Sequence, residues 1–258
     1  MSESIRFDRA AEFYDRTRSV SEESMSRTVE LLTSELGDRG LVLEVGVGTG
    51  LLALPLHAAG LSLAGIDLSA PMLERLTEKA GGKAPFPVVQ GDATLMPFAD
   101  DAFGAAHLRW VLHLIPHWRT ALAEIARVVR PGGVFLANLG SYGGARREIQ
   151  LRFQEVTGVS TDPVGLGWAG LDVLDEQMAA LGAAVRTLPP IREGGTETLE
   201  EFIERIEENR YSWTWRVSDE VRLRAAAEIR PWARERFGSL DEPSPFEHAT
   251  TWRAYDLP

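Results

Sequence analysis

The stretch that most constrains this chain is Leu41–Gly50, LVLEVGVGTG. Its first half is a short apolar, β-branched run, the composition of a strand buried on both faces of a parallel sheet. Its second half sets glycine at alternate positions, Gly46, Gly48 and Gly50, and helical patterning follows at once with Leu51, Leu52, Leu54 and Leu56. A strand that ends in glycines and runs straight into a helix is a ligand-binding loop. Without Cβ atoms the backbone takes positive φ, and a ligand can press against bare peptide groups. The dinucleotide fingerprint is G-x-G-x-x-G. Here the pattern is G-x-G-x-G, and Leu51 stands where the third glycine belongs. The loop therefore does not read as a pyrophosphate cradle.

Acids end the next two strand-like runs. Leu61–Ile66 leads into Ile66-Asp67-Leu68-Ser69, and Phe86–Gln90 leads into Gly91-Asp92-Ala93. The interval from Gly46 to Asp67 is close to the ~20 residues that separate glycine loop and ribose-binding acid in doubly wound folds. Ser69 followed by Pro71 reads as the N-cap and first turn of a helix. In order and spacing the three segments resemble the class I S-adenosylmethionine-dependent methyltransferases, and among them the small-molecule type 11, ubiquinone-biosynthesis-like group. The resemblance covers roughly residues 40 to 140.

That resemblance implies an α/β fold: a Rossmann-like, doubly wound, seven-stranded, mostly parallel sheet with an antiparallel last strand. It implies S-adenosyl-L-methionine as cofactor and in-line methyl transfer to a small-molecule acceptor. It also assigns a cofactor-binding set. Gly46, Gly48 and Gly50 shape the loop, Glu44 lies near the amino acid end, and Asp67 accepts from both ribose hydroxyls. Leu68 and Met72 join the set, Met72 near the adenine. Asp92 accepts from the adenine amine while the Ala93 N–H meets a ring nitrogen; the alternative for Asp92 is a turn or helix-capping acid. The carboxylates Glu44, Asp67 and Asp92 suit a cationic cofactor better than a phosphate-rich one.

Ala102–Leu108 reads as the fourth strand, followed by Arg109-Trp110-Val111-Leu112-His113-Leu114. Ligands of open α/β sheets bind off these strand ends, so this segment is expected beside the reacting methyl group. His113 is the candidate general base, because its ordinary pKa suits proton transfer near neutrality; the alternative is a capping or structural histidine. His107, inside the strand, reads as a core or supporting residue. Arg109 joins the cofactor set, either holding an anionic group or pairing with an acid. A helix over His117–Val129 then meets Arg130-Pro131-Gly132-Gly133, a turn before a fifth strand, Val134–Asn138.

Residues 1–38 are expected as an N-terminal helical cap ending at Gly37. Its Tyr14-Asp15 pair either folds over the cofactor, as in many small-molecule methyltransferases, or anchors the cap to the core. The Rossmann-like domain is assigned to 39–190 and 246–258. Gly140, Gly143 and Gly144 mark an irregular loop within it, and Ala184–Leu188 is its sixth strand. Residues 191–245 are expected as a helical lid inserted before the last strand. One face of its first helix carries Leu199, Phe202, Ile203 and Ile206, the other glutamates. Tyr211, Trp213, Trp215, Trp232 and Phe237 line an apolar pocket, form the lid's own core or make an oligomer contact.

A formal net charge of −11 argues against nucleic acid as a partner. The chain has no cysteine, and its five histidines lack metal-ligand spacing, so no metal is expected. No run approaches the ~18 apolar residues of a membrane span, and the N-terminus lacks an apolar signal segment. The expectation is a cytoplasmic monomer or homodimer. Two other readings stand beside methyl transfer. A nicotinamide-dependent oxidoreductase is opposed by the glycine spacing and by Gly91-Asp92-Ala93. A non-catalytic S-adenosylmethionine-binding protein accommodates intact motifs without a defined base.

Overall fold

The computed structural model describes residues 4–18, 20–139, 143–167 and 170–258. The start of the expected cap and the loop glycine Gly140 lie outside the described residues. In chain order the elements are α1 (Tyr14–Arg18), α2 (Glu22–Leu36), β1 (Val42–Val45), α3 (Ala53–Ala58), β2 (Leu63–Asp67), α4 (Ala70–Lys79), β3 (Val88–Gln90) and β4 (Phe103–Arg109). These are followed by α5 (Trp118–Val128), β5 (Val129–Asn138), α6 (Gly144–Thr157), α7 (Gly170–Ala180), β6 (Ala184–Thr187) and β7 (Ile191–Glu197). The chain closes with α8 (Leu199–Glu207), α9 (Asp219–Phe237), β8 (Ser244–Thr250) and β9 (Trp252–Asp256). Two compact units result: residues 1–139, 164–191 and 249–258, and residues 140–163 and 192–248.

The first unit is built on a seven-stranded sheet of order β3-β2-β1-β4-β5-β9-β6. Its first five strands run parallel, and β9 is antiparallel to both β5 and β6. This is the doubly wound, Rossmann-like sheet with a reversed last strand that the motifs imply. The central strands carry apolar side chains toward both faces because both sheet faces are covered, and their two-residue period divides these between two cores. Leu43, Val45, Ala106, Leu108, Phe135 and Ala137 join one core with α5 and α7. Val42, Leu63, Ala105, Val134 and Leu136 join the other with α2 and α3. Burying each of the valine, leucine and phenylalanine side chains contributes about 1.5–3 kcal/mol, so the strand register is strongly specified.

Local signals place the helices. The Ser69 hydroxyl accepts from the Met72 N–H to cap α4, with Pro71 in the first turn. Ser21 caps α2 in the same way through Ser24. Gly37 caps α2 as the sequence reading expects, in right-handed geometry (φ −58°); a 3-10 turn over Gly37–Arg39 follows, and the chain reverses at Gly40 (φ 81°). One detail departs from that reading. Arg130–Gly133 is not a turn ahead of the strand but a bulge within it. Phe103 pairs with Val129 and Ala105 with Val134, so the extra residues loop out of the ladder.

In the second unit α6, α8 and α9 enclose a core of Ile149, Phe153, Phe202, Ile206, Ala226 and Ile229, among others. Thr198 and Glu201 form a capping box at the start of α8. Arg230 of α9 reaches both Glu200 and Glu207 of α8. Tyr211 and Trp213 stack at 5.3 Å, with Phe153 edge-on to Trp213 at 5.1 Å. Both rings are buried in this unit's own core. β7 and β8 pair as a two-stranded sheet. The sequence reading holds no such ribbon, because a short run interrupted by Gly194 and Gly195 carries no strand signal of its own.

Candidate cofactor and active site

Register brings the site residues to one side of one edge. Glu44 pairs with Gly65 of β2 and with His107 of β4, and Arg109 pairs with Asn138 of β5. Val42, Leu63, Ala105 and Val134 face the α2–α3 core. Counting in twos along each strand puts Glu44, Asp67, His107, Arg109 and Asn138 on that same face, toward the C-terminal ends. Open α/β sheets bind their ligands there.

The glycine loop leaves β1 at this edge. Gly46, Gly48 and Gly50 have φ of 75°, 52° and 71°, which only glycine adopts without strain. A Cβ on Gly46 would stand 2.4 Å from Val111 Cγ2, so a side chain is excluded there on packing grounds as well. The Gly46 and Val47 N–H groups both donate to the Ile66 carbonyl, at 2.8 and 3.1 Å. Asp67 completes the attachment. Its Oδ2 accepts from the Gly48 N–H at 2.8 Å and its Oδ1 from the Ser69 N–H at 2.9 Å. Burial raises the Asp67 pKa, and the donors from Ser69, Gly48 and Leu68 oppose the shift. Met72 is buried beside the loop, its Cε 3.1 Å from where a Gly48 Cβ would lie. Leu68 is half-buried at the start of the same turn.

The Tyr14-Asp15 segment is tied to this loop. Asp15 accepts from the Thr49 hydroxyl at 2.5 Å and pairs with Lys79 Nζ at the end of α4, also at 2.5 Å. Farther up the chain the Ile5 N–H donates to the Leu114 carbonyl at 3.0 Å. Burial raises the Tyr14 pKa. Arg18 and Arg109 pull it down while Asp67 and Glu44 push it up, so the phenol shares its surroundings with both acids. Asp92 makes an Asx turn: its Oδ1 accepts from the Thr94 N–H and hydroxyl at 2.9 and 2.8 Å. Ala93 packs against the α5-side core.

The most constrained group is Glu44. It is 4% exposed, and its Oε2 has no hydrogen-bond partner. Burial, with Asp67 adding and Arg109 opposing, pushes its carboxyl up to about 8. His107 is fully buried with Nε2 3.6 Å from Glu44 Oε2, and neither ring nitrogen is hydrogen-bonded. Burial holds this imidazole at about 3, so it is neutral at pH 7.

Beyond Arg109 the chain is strained. Trp110 has φ 59°, rare for a bulky residue. Its N–H donates to the Asn138 carbonyl, and the Arg109 guanidinium stacks 4.0 Å from its ring centre. Trp110 Nε1 and Asn138 Oδ1 are buried without hydrogen-bond partners, while Asn138 Nδ2 donates to the Thr251 carbonyl. His113 lies in the 3-10 turn Leu112–Leu114. Burial, reinforced by Arg18, lowers its pKa to about 4.

The sequence reading places Trp110 in the segment beside the site but does not anticipate the Asp15–Thr49 and Asp15–Lys79 ties, nor Asn138 at the site. Only Asn138 carries a signal, as the polar residue that closes the apolar run Val134–Ala137. Among the described residues no His, Asp and Glu side chains gather into a group that could hold a metal.

Residues 43–137 match a protein family described as a methyltransferase domain. Over 130 residues the chain is 35% identical to the demethylmenaquinone methyltransferase of Mycolicibacterium paratuberculosis, covering 49% of this chain and 54% of that protein. The chain thus spans about half the length of the curated relatives it matches. Among solved structures, the YcgJ protein of Bacillus subtilis superposes with a TM-score of 0.61 at 20% identity, over 92% of this chain and all of that one. Phosphoethanolamine N-methyltransferase 2 of Haemonchus contortus, solved with phosphomonomethylethanolamine and S-adenosylhomocysteine, gives 0.52 at 19% identity over 90% and 52% of the two chains. The fold is that of the class I S-adenosylmethionine-dependent methyltransferases.

S-adenosyl-L-methionine is the cofactor of this class, and the site suits it. A glycine loop offers bare backbone, and two acids, one of them with an unpartnered buried oxygen, stand ready for a sulfonium-bearing, ammonium-bearing ligand.

Proposed function

We propose that this protein transfers a methyl group from S-adenosyl-L-methionine to a small-molecule acceptor. The observation that carries the reading is the shared placement of Glu44, Asp67 and the glycine loop on one face at the strand ends. When bound, the cofactor supplies an electrophilic methyl group on a sulfonium sulfur. The protein's part is to bind, align and exclude water, and alignment of this kind contributes ~7–11 kcal/mol in the best intramolecular cases.

Asp67 spends one lone pair of each oxygen on the loop, and the remaining pairs accept from the two ribose hydroxyls. Glu44 meets the ammonium of the amino acid end. Asp92 and the Ala93 N–H read the adenine edge, with Leu68 and Met72 flanking the ring. Gly46, Gly48 and Gly50 let the cofactor approach the backbone. Tyr14 closes over the site from the N-terminal segment that Asp15 holds in place. Arg109 balances the charge of Glu44 and Asp67.

His113 takes the acceptor's proton. It is fully neutral at pH 7 and therefore available, but with its pKa near 4 it is a weaker base than an ordinary histidine. Replacing His113 by alanine lowers kcat by about 10²–10⁴-fold and leaves the cofactor Kd within about twofold. The acid limb of the kcat/KM profile, falling toward pH 4 in the native protein, disappears in that variant. Full retained activity would remove His113 from the mechanism.

The surplus of acids supports a small molecule rather than a nucleic acid as acceptor. Demethylated quinones, the substrates named by the mycobacterial relatives, head an acceptor screen. Among the described residues no helix is long and apolar enough to cross a membrane. The reading places the protein in the cytoplasm as a monomer or homodimer.

Calorimetric titration with S-adenosylmethionine, S-adenosylhomocysteine and NAD tests the proposal. Both adenosyl compounds bind and NAD does not. Binding of NAD alone overturns it in favour of an oxidoreductase.

A further inference from the structure

We propose that His107 is a positioning residue for Glu44, accepting from its carboxyl in the free protein and donating to its carboxylate once a cationic ligand is bound, so that cofactor binding expels a proton from this pair. The inference rests on the cofactor reading above.

The geometry is specific. Glu44 and His107 are register partners on adjacent parallel strands, and both project from the same sheet face. Their facing atoms, Oε2 and Nε2, lie 3.6 Å apart, just beyond hydrogen-bond range, and a small rotation of the carboxyl closes the gap. Each is buried, and each lacks any other hydrogen-bond partner. Leaving a buried polar atom unpaired is costly, so these two satisfy one another or remain unsatisfied.

What distinguishes His107 is that Nδ1 has no partner either. A buried histidine is ordinarily locked into one tautomer by a bond to its second nitrogen. Here nothing locks the ring. A neutral imidazole can present a lone pair or an N–H at Nε2 without breaking another bond. It therefore serves both protonation states of Glu44.

The groups facing Glu44 decide which state is present. Across the edge stand Asp67 on β2, Arg109 on β4 and Tyr14 on α1. Burial outweighs Arg109, so the free protein holds Glu44 protonated at pH 7. A ligand ammonium beside Glu44 reverses that balance. The carboxyl O–H bond breaks, the proton passes to buffer, and the carboxylate takes N–H donors from the ligand and from Nε2. The ring's own hydrogen exchanges from Nδ1 to Nε2, and His107 stays neutral. An imidazolium would sit buried beside Arg109 and the ligand's positive charge, which the site disfavours.

The test is titration of S-adenosylhomocysteine into the full chain at pH 7 in two buffers of different ionisation enthalpy. The expected result is about one proton released per ligand bound, and none in Glu44→Gln. His107→Leu, which keeps the bulk but neither donor nor acceptor, weakens binding about tenfold at pH 7 and moves the affinity profile up by about one pH unit. His107→Gln, whose amide presents either function, restores most of both. Binding without proton release, or a His107→Leu profile identical to the native one, overturns the role of the pair while leaving the cofactor reading in place. If the leucine variant does not fold, the native and Glu44→Gln proton counts decide alone. No binding of S-adenosylhomocysteine overturns both readings.

Discussion

Replacing Asp67 by alanine raises the Kd for S-adenosylmethionine by at least about 100-fold while the chain still folds. Two hydrogen bonds to a charged acceptor, at about 1.5–3 kcal/mol each, set that scale, since ~1.4 kcal/mol is a factor of ten. The structure adds a second consequence. Asp67 also holds the Gly48 and Ser69 N–H groups, so the variant releases the glycine loop from the end of β2. A stability loss of about 1–2 kcal/mol follows from those two bonds. It is softened because burial already disfavours the carboxylate. Asp67→Asn separates the two effects. Its single acceptor oxygen keeps one backbone bond, and its amide faces another donor, so loop and affinity are both intermediate. Calorimetry and urea unfolding measure the two consequences independently, and an unchanged Kd in Asp67→Ala would remove it from the cofactor site.

Glu44→Gln produces the largest change in stability, and it depends on pH. The Glu44 carboxyl titrates near 4.5 in the unfolded chain and near 8 in the folded one. Between those values the folded state binds more protons, so stability is full below about pH 4.5 and declines as pH rises toward 8. The limiting slope is about 1.4 kcal/mol per pH unit. His107 works in the opposite sense over a lower range. Its pKa is depressed from 6.5 to about 3, so its contribution rises between those values and is level above them. From pH 6.5 to 8 the slope of Glu44 is therefore not offset by His107. The ligand-free native protein loses about 2 kcal/mol more than the glutamine variant across that interval. Denaturant unfolding at several pH values reads the difference directly. Parallel slopes would show that Glu44 is ionised in the free protein.

The glycine loop, the Ser69 cap and the runs ending at Asp67 and Asp92 were legible because their causes are local. A glycine needed for φ, a hydroxyl needed by an orphan N–H and an apolar run needed by a two-faced strand each leave a mark within a few residues. Gly37 is the cap of α2, and the reversal follows at Gly40, where the 3-10 turn finishes. Even here one mark misleads. Arg130–Gly133 looked like a turn, and only pairing with β4 reveals it as a bulge.

Asp92 shows both outcomes at one residue. Its position is legible and a turn stands among its alternatives, while the choice of Thr94 as partner in an Asx turn comes from the structure. Asp15 was visible as half of a Tyr-Asp pair. Its link to Thr49, 34 positions along the chain, had no signature of its own. The aromatics Tyr211 and Trp213 were legible as apolar residues of the helical segment. Burial in that unit's own core is one of three readings open for them, and the structure chooses it because composition does not say which surface a ring meets.

By itself the sequence determined the strand, loop and helix order of residues 41–93, the acids that end the strands, and through them the methyltransferase class. Those properties are carried by residue type and short spacing. Only the tertiary structure decided that His107 lies against Glu44, that Asn138 stands opposite Arg109 and that Asp15 holds the loop. Each depends on register between distant segments, and burial then sets the protonation of the groups it brings together.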